Sequence, residues 1–186
     1  MDDRLPRSPR LLYRRPAVAD EEKVRDLRQD PEVMRYVGGP LTSRSAAERF
    51  SHDLAHWDEH GYGKCVVLDR DTESFVGLCG LQEFEGEPDL GYLLAPQWWG
   101  RGLATEIAAA SLRCGFEDLH APLVRALVQA ANLASQRVLG KVGMRYLGDR
   151  FLWGERQRRY AITAGEWDAR RAEGSDLLAD LDARWR

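Results

Sequence analysis

Residues 94–112 read LAPQWWGRGLATEIAAASL. A proline, two tryptophans and two glycines split by one arginine lead straight into an alanine-rich, helix-forming run. Glycine in a helix interior costs up to about 1 kcal/mol relative to alanine, so Gly100 and Gly102 mark the mouth of a helix. There the leading N–H groups lack partners and the macrodipole is positive. Glycine leaves room for an anion and adopts dihedrals that aim successive N–H groups at it. Arg101 adds charge from its side chain. The spacing is not Gly-x-Gly-x-x-Gly, and no Gly-Lys-Ser/Thr follows as in a P-loop. On their own, the glycines serve equally well to permit close packing beside Trp98 and Trp99.

The flanking chain must supply what such a junction packs on. Leu103, Ile107, Ala110 and Cys114 recur at i, i+4, i+7 and i+11, one apolar stripe. Upstream, RLLYRRP (10–16) reads as a short strand closed by proline, and residues 17–30 as a first helix with apolar Val24 and Leu27, ended by Pro31. Thr42 or Ser43 caps a helix that stops at Gly61 and carries Phe50, Leu54 and Trp57 on one face. KCVVLD (64–69), ESFVGLCGLQEF (73–84) and PDLGYLL (88–94) read as strands. PLVRALVQA (122–130) reads as a strand buried on both faces. Asn132 caps the next helix, whose Ser135, Val138, Leu139 and Val142 share a face and which Gly143 ends. MRYLGD (144–149) and ERQRRYAIT (155–163) read as a closing hairpin with RFLWG between them. The tail from 165 to 186 reads as a charged helix with Trp167, Leu177, Leu178 and Leu181. This order predicts an α/β layer fold with a mixed sheet.

At 186 residues the chain suits one domain. We expect a flexible start (1–9), a domain over 10–165 and a helical extension over 166–186. A net charge of −3 gives no reason for broad nucleic-acid or membrane attraction. Apolar runs fall short of the roughly 18 to 20 residues that span a bilayer, and the start lacks a signal peptide's apolar core, so a cytoplasmic protein is expected. Cys65, Cys79 and Cys114 are odd in number and widely spaced, which reads as buried reduced thiols.

Taken with NLASQRVLGKVGM (132–144), the glycine junction resembles the GNAT superfamily of acetyl-CoA-dependent N-acetyltransferases. That family's phosphate loop, Arg/Gln-x-x-Gly-x-Gly/Ala, is matched by Gln97, Gly100 and Gly102. Its later motif is matched by Asn132, Ser135, Arg137, Val138, Lys141, Gly143 and Met144. DPEVMRYVGGP, HGYGKCVV and YAITAGEW look like the RimJ/RimL-type branch, named for enzymes that acetylate N-termini of ribosomal proteins. Gly140 in place of the usual glutamate and Met144 in place of a common phenylalanine depart from the pattern without removing a catalytic group. The resemblance implies a single three-layer domain with a mixed, mostly antiparallel sheet of about seven strands flanked by helices, plus a C-terminal helix.

It further implies that the strands around 89–94 and 122–130 splay to admit the pantetheine arm, with a backbone N–H near Leu93 or Leu94 on the thioester oxygen. Gln97, Gly100, Arg101, Gly102, Leu103, Ala104 and Thr105 would wrap the diphosphate of acetyl-CoA; Asn132, Ser135, Arg137 and Lys141 would contact the rest. The acceptor is an amine, a peptide N-terminus or a small molecule, attacking directly in a ternary complex. Because most amines are protonated at neutral pH, a base is needed. Asp89 is the first candidate, equally readable as a solvated strand-edge carboxylate, and Glu83 the second, acting directly or through water, although a strand-end glutamate is more often just surface. Leu139 stands where many relatives place a tyrosine; in the RimJ/RimL-type branch a serine three residues after the asparagine is the usual group to protonate the departing thiolate, so the resemblance implies Ser135 for that role.

Two other readings stay open. An acyl-CoA-binding sensor without turnover would need the loop but not Asp89 and Ser135. A polyamine or antibiotic acceptor would call for an acidic pocket, for which Glu83, Glu85, Glu87 and Asp89 lie close in sequence. His52, His56 and His60 show metal-ligand spacing, but they lie opposite the apolar stripe of their helix and are expected to face water. No metal, nucleic-acid or membrane partner is expected; monomer and homodimer both remain open.

Overall fold

In the computed structural model, which describes residues 4–174, seven strands form one sheet in the order β1-β2-β3-β4-β5-β7-β6. The strands are β1 (Leu11–Arg14), β2 (Lys64–Asp69), β3 (Phe75–Phe84), β4 (Glu87–Leu94), β5 (Leu123–Gln129), β6 (Arg145–Leu152) and β7 (Glu155–Thr163). The helices are α1 (Glu21–Gln29), α2 (Pro31–Met34), α3 (Ser43–His60), α4 (Leu103–Arg113), α5 (Leu133–Lys141) and α6 (Ala164–Ala172). All neighbouring strands are antiparallel except β4 and β5, which the α4 crossover makes parallel. The mixed, mostly antiparallel, helix-flanked sheet is the architecture the sequence implies.

Side-chain alternation sorts the strands between two apolar clusters. Val66 and Leu78 meet Val24, Leu27 and Phe50 of α1 and α3 on one face. Cys79, Leu81, Leu90, Leu94 and Val124 meet the α4 stripe, Leu139 of α5 and Trp167 of α6 on the other. The cluster under α1 and α3 takes no residue from β5, β6 or β7. Half of that sheet face is therefore not roofed by these helices. β5 consequently alternates between buried Val124, Ala126 and Val128 and half-exposed Leu123, Arg125 and Leu127, and is not buried on both faces as its apolar run suggests.

The helix signals work locally. The Thr42 hydroxyl accepts from the Ser45 N–H at 3.2 Å, and left-handed Gly61 ends α3. Pro31 does more than end α1: it begins α2, where Asp30 accepts from the Glu32 and Val33 N–H groups. Arg150, Phe151 and Leu152, expected in the connection, extend β6, so the closing turn shrinks to Trp153 and Gly154. The start is packed from residue 4 onward: Leu5 lies against the core, and buried Ser8 hydrogen-bonds the Tyr13 hydroxyl at 3.0 Å. All three cysteines are buried and none forms a disulfide. Leu177, Leu178 and Leu181 lie outside the described residues.

Candidate active site

β4 and β5 are in register as a ladder at one position only, Asp89 with Arg125, and then diverge, while β5 pairs with β7 along its whole length. The expected splay is present, with Asp89 at its apex. On the other edge of β4 the Ala95 N–H donates to the Val76 carbonyl at 2.9 Å. Antiparallel alternation from that bond turns the Leu93 N–H toward β3 and the N–H groups of Tyr92 and Leu94 toward the opening. Of the two expected donors, Leu94 faces the gap and Leu93 does not.

The glycine junction begins where β4 ends. The Trp99 indole donates to the Leu94 carbonyl at 2.8 Å and the Trp98 indole to the Phe75 carbonyl at 2.9 Å, which fixes the strand exit. Gly100 and Gly102 have φ of 75° and 77°, a left-handed conformation that side chains disfavour. Steric room inside the protein is not the reason, since a Cβ on Gly100 would meet nothing within 4 Å and one on Gly102 only Arg10 Nη2 at 3.8 Å. The Gly102 carbonyl accepts from the Thr105 and Glu106 N–H groups at 3.1 and 3.2 Å, so the N–H groups of Leu103 and Ala104 precede the first helical acceptor. Gln97, Arg101 and Gly102 are exposed, and Ala104 and Thr105 half-buried. Leu103 buries its side chain in the core and offers the site only its backbone. The Arg101 guanidinium stacks over Trp98, 4.9 Å from the ring centroid.

Across the opening, Asn132 caps α5: its Oδ1 accepts from the Ser135 N–H at 3.0 Å. The Ser135 hydroxyl lies 2.8 Å from that of Tyr92. Burial pushes the Tyr92 phenol up to about 12, partly offset by this hydrogen bond, so it stays protonated at neutral pH. Tyr92 went unseen in the sequence because only folding brings β4 beside α5. Arg137 and Lys141 are exposed.

Asp89 is the electrostatic anomaly of the region. Its Oδ1 is buried without a hydrogen-bond partner, and burial raises its carboxyl to about 6 against the opposing pull of Lys64 and Arg125. Lys64 is itself lowered by burial, opposed chiefly by Asp89. Its Nζ donates to the Gly80 carbonyl at 3.2 Å and occupies the space a Gly91 side chain would need, 2.5 Å from an ideal Cβ. Glu83 does not join this group. It lies one residue from Gln82, which faces Asp53 of α3, so its side chain leaves the sheet on the opposite face, 4.0 Å from His60.

Two expectations are corrected. The acidic run forms no acidic pocket, because Arg150 pairs with Glu85 at 2.7 Å and Arg125 with Glu87 at 2.6 Å. His56 is buried and does not face water, because the loop after α3 and the end of β3 close over it. Its Nδ1 lies 2.8 Å from the Tyr62 carbonyl and its Nε2 accepts from the Glu83 N–H at 3.0 Å, a neutral tautomer whose pKa burial lowers. Among the described residues no three His, Cys, Asp or Glu side chains are grouped to hold a metal ion. No described helix is long and apolar enough to cross a membrane.

A turn with two left-handed glycines, a split between parallel strands and a half-buried carboxyl with an unpartnered oxygen at its apex therefore lie along one edge of β4. The chain belongs to the acetyltransferase (GNAT) domain family, whose pattern it matches over residues 10–145, and is an acetyltransferase. It is 34% identical over 121 residues to the uncharacterized protein YkkB of Bacillus subtilis, covering 63% of this chain and 70% of that one. An acetyltransferase structure from Agrobacterium tumefaciens is 31% identical with a TM-score of 0.76, covering 85% of this chain and 93% of the other. A spermidine N-acetyltransferase from Vibrio cholerae, solved with CoA and spermine, shares the fold at 20% identity and a TM-score of 0.72, covering 85% and 98%.

Proposed function

We propose that this protein is an acetyl-CoA-dependent N-acetyltransferase of RimJ/RimL type that acetylates a primary amine by direct attack. One observation carries the reading. The turn at Gly100 and Gly102 and the Leu94 N–H line one path, from an anion-binding helix mouth into the gap that opens at Asp89. The residues fit the donor: the N–H groups of the turn and of Leu103 and Ala104 would hold the diphosphate, and the open edge of β4 would take the pantetheine arm.

Acetyl-CoA supplies an activated acetyl group and a thiolate leaving group. The Leu94 N–H stabilises the charge that develops on the acetyl oxygen. Asp89 accepts the proton of the incoming ammonium, which its raised carboxyl, near 6, suits at neutral pH. Glu83, facing the other side of the sheet, is the weaker candidate for that proton. The paired hydroxyls of Ser135 and Tyr92 return a proton to the thiolate. Asn132 holds α5 in place, while Arg137 and Lys141 offer charge for the adenosine phosphates.

The β5 side of the sheet, which α1 and α3 leave uncovered, provides the acceptor's approach. Neutralisation of Glu85 and Glu87 by Arg150 and Arg125 disfavours a polycation there and favours a peptide N-terminus. The orphaned Asp89 oxygen argues for turnover over a CoA-sensing module, since a module needs no buried base.

Thiol release from acetyl-CoA with a panel of peptides, polyamines and aminoglycosides tests this reading. Peptide N-termini should be consumed fastest. Calorimetry on Gly102→Val should show CoA binding abolished with the fold retained. Intact CoA binding by that variant, or wild type that binds CoA and acetylates no amine, overturns the proposal.

A further inference from the structure

We propose that Arg10 is a positioning residue for the diphosphate-binding turn and that Glu106 aims it; this rests on the reading of that turn given above. Glu106 sits in the first turn of α4 with its side chain sealed from solvent. Its Oε1 accepts the Arg10 backbone N–H at 2.9 Å and its Oε2 the Arg10 Nε at 2.6 Å, which leaves the guanidinium one orientation. In that orientation Nη1 donates to the Arg101 carbonyl at 3.0 Å. Arg101 is the residue between the two left-handed glycines.

That single bond sets the direction of the turn. A trans peptide holds its C=O and N–H on opposite sides. Drawing the Arg101 carbonyl inward to Arg10 therefore turns the Gly102 N–H outward, alongside those of Leu103 and Ala104. Without the tether, two glycines in sequence around one residue would leave this peptide free to flip. The same pair brings a positive charge beside the anion site, with Nη2 3.8 Å from the position of a Gly102 Cβ.

Arg10 is held from behind as well. Its carbonyl accepts the Arg70 N–H at 2.9 Å. The Arg70 guanidinium bonds the carbonyls of Pro9 at 2.7 Å, Ser8 at 2.9 Å and Leu11 at 3.1 Å. The β2–β3 turn thus fixes the chain around Arg10, Arg10 fixes Arg101, and Arg101 fixes the direction of the amides.

Two variants test the assignment. Arg10→Lys keeps a charge but lacks the planar fork that reaches Glu106 and Arg101 together. Arg10→Met combined with Glu106→Gln removes both charges of the pair, so that no carboxylate is left buried and unpaired while the tether is lost. Both should bind CoA about tenfold more weakly or worse in calorimetry, the scale of a lost charge-assisted hydrogen bond. The KM for acetyl-CoA should rise in step while kcat at saturation holds, a split that general destabilisation does not produce. The unfolding midpoint of the double variant should stay close to wild type. A folded double variant that binds CoA like wild type overturns the proposal. So does a fall in kcat with KM unmoved. Gly102→Val separates this failure from that of the underlying reading: if it too leaves CoA binding intact, the turn is not the diphosphate site; if it alone abolishes binding, only the tether is wrong.

Discussion

Glu106 and Asp89 are carboxylates taken out of water at the two ends of the proposed acetyl-CoA path, and they are treated oppositely. Glu106 has both oxygens engaged by Arg10. Asp89 keeps Oδ1 buried with no partner and is pushed up to about 6. Desolvation opposes both charges; compensation is what differs. Asp53, another buried carboxylate, sides with Glu106, taking Arg28 at 2.5 Å and Gln82 at 2.7 Å, and buried Asp20 takes Arg14 at 2.5 and 2.6 Å. Where a carboxylate holds shape, this fold satisfies it. The orphan stands at the strand split, where a proton has to move.

The largest test of this contrast is Asp89→Asn. Loss of a general base should lower kcat/KM by about 10²- to 10⁴-fold, with CoA affinity nearly unchanged. Stability should move the other way. Asp89's folded pKa lies above its unfolded value, so its contribution is full below 3.8 and lost as pH rises through about 6. At neutral pH the variant should therefore melt no lower than wild type, as differential scanning calorimetry would show. A variant that keeps wild-type kcat/KM removes Asp89 from the chemistry and places it with Glu106.

Arg10→Met is the mirror experiment. It strands a fully buried carboxylate, and breaking such a pair costs about 3–5 kcal/mol, read as a lower denaturant midpoint with kcat at saturating acetyl-CoA maintained. A smaller shift is expected from Lys64→Met. In wild type, kcat/KM should rise with pH through about 6 and level off as Asp89 ionises. Lys64 is the leading charge that opposes the rise, so its removal should carry the acidic limb to higher pH. An unmoved limb would mean that Asp89 does not report on the base.

The contrast also shows what the sequence could carry. α4 and α5 were legible because a periodic stripe, the Asn132 cap and the glycines all act within a few residues. The Asp89 position was legible from the resemblance, but its burial was not, since that depends on Lys64 and Arg125 arriving from other strands. Glu106 with Arg10 could not be read at all: the partners are 96 residues apart. His56 misled for a related reason. A helical wheel knows its own helix and not the Tyr62 carbonyl and Glu83 N–H that close over it. The apolar run of β5 likewise cannot say that α1 and α3 stop short of it.

The smallest effect should come from the pair that bridges the two walls of the gap. Ser135 and Tyr92 belong to different elements, and their hydroxyls meet at 2.8 Å. If Ser135 protonates the thiolate with Tyr92 behind it, either Ser135→Ala or Tyr92→Phe interrupts the same relay. Each should slow turnover about tenfold, less than the roughly 10²- to 10⁴-fold of a full general acid–base contribution because a thiolate is already a good leaving group, with less effect on CoA affinity. Groups acting as one unit are non-additive, so the double variant should be scarcely slower than the slower single one. Losses that multiply would mean two independent roles. Wild-type turnover in Ser135→Ala would leave the thiolate's proton to another donor and reduce the Tyr92 contact to packing.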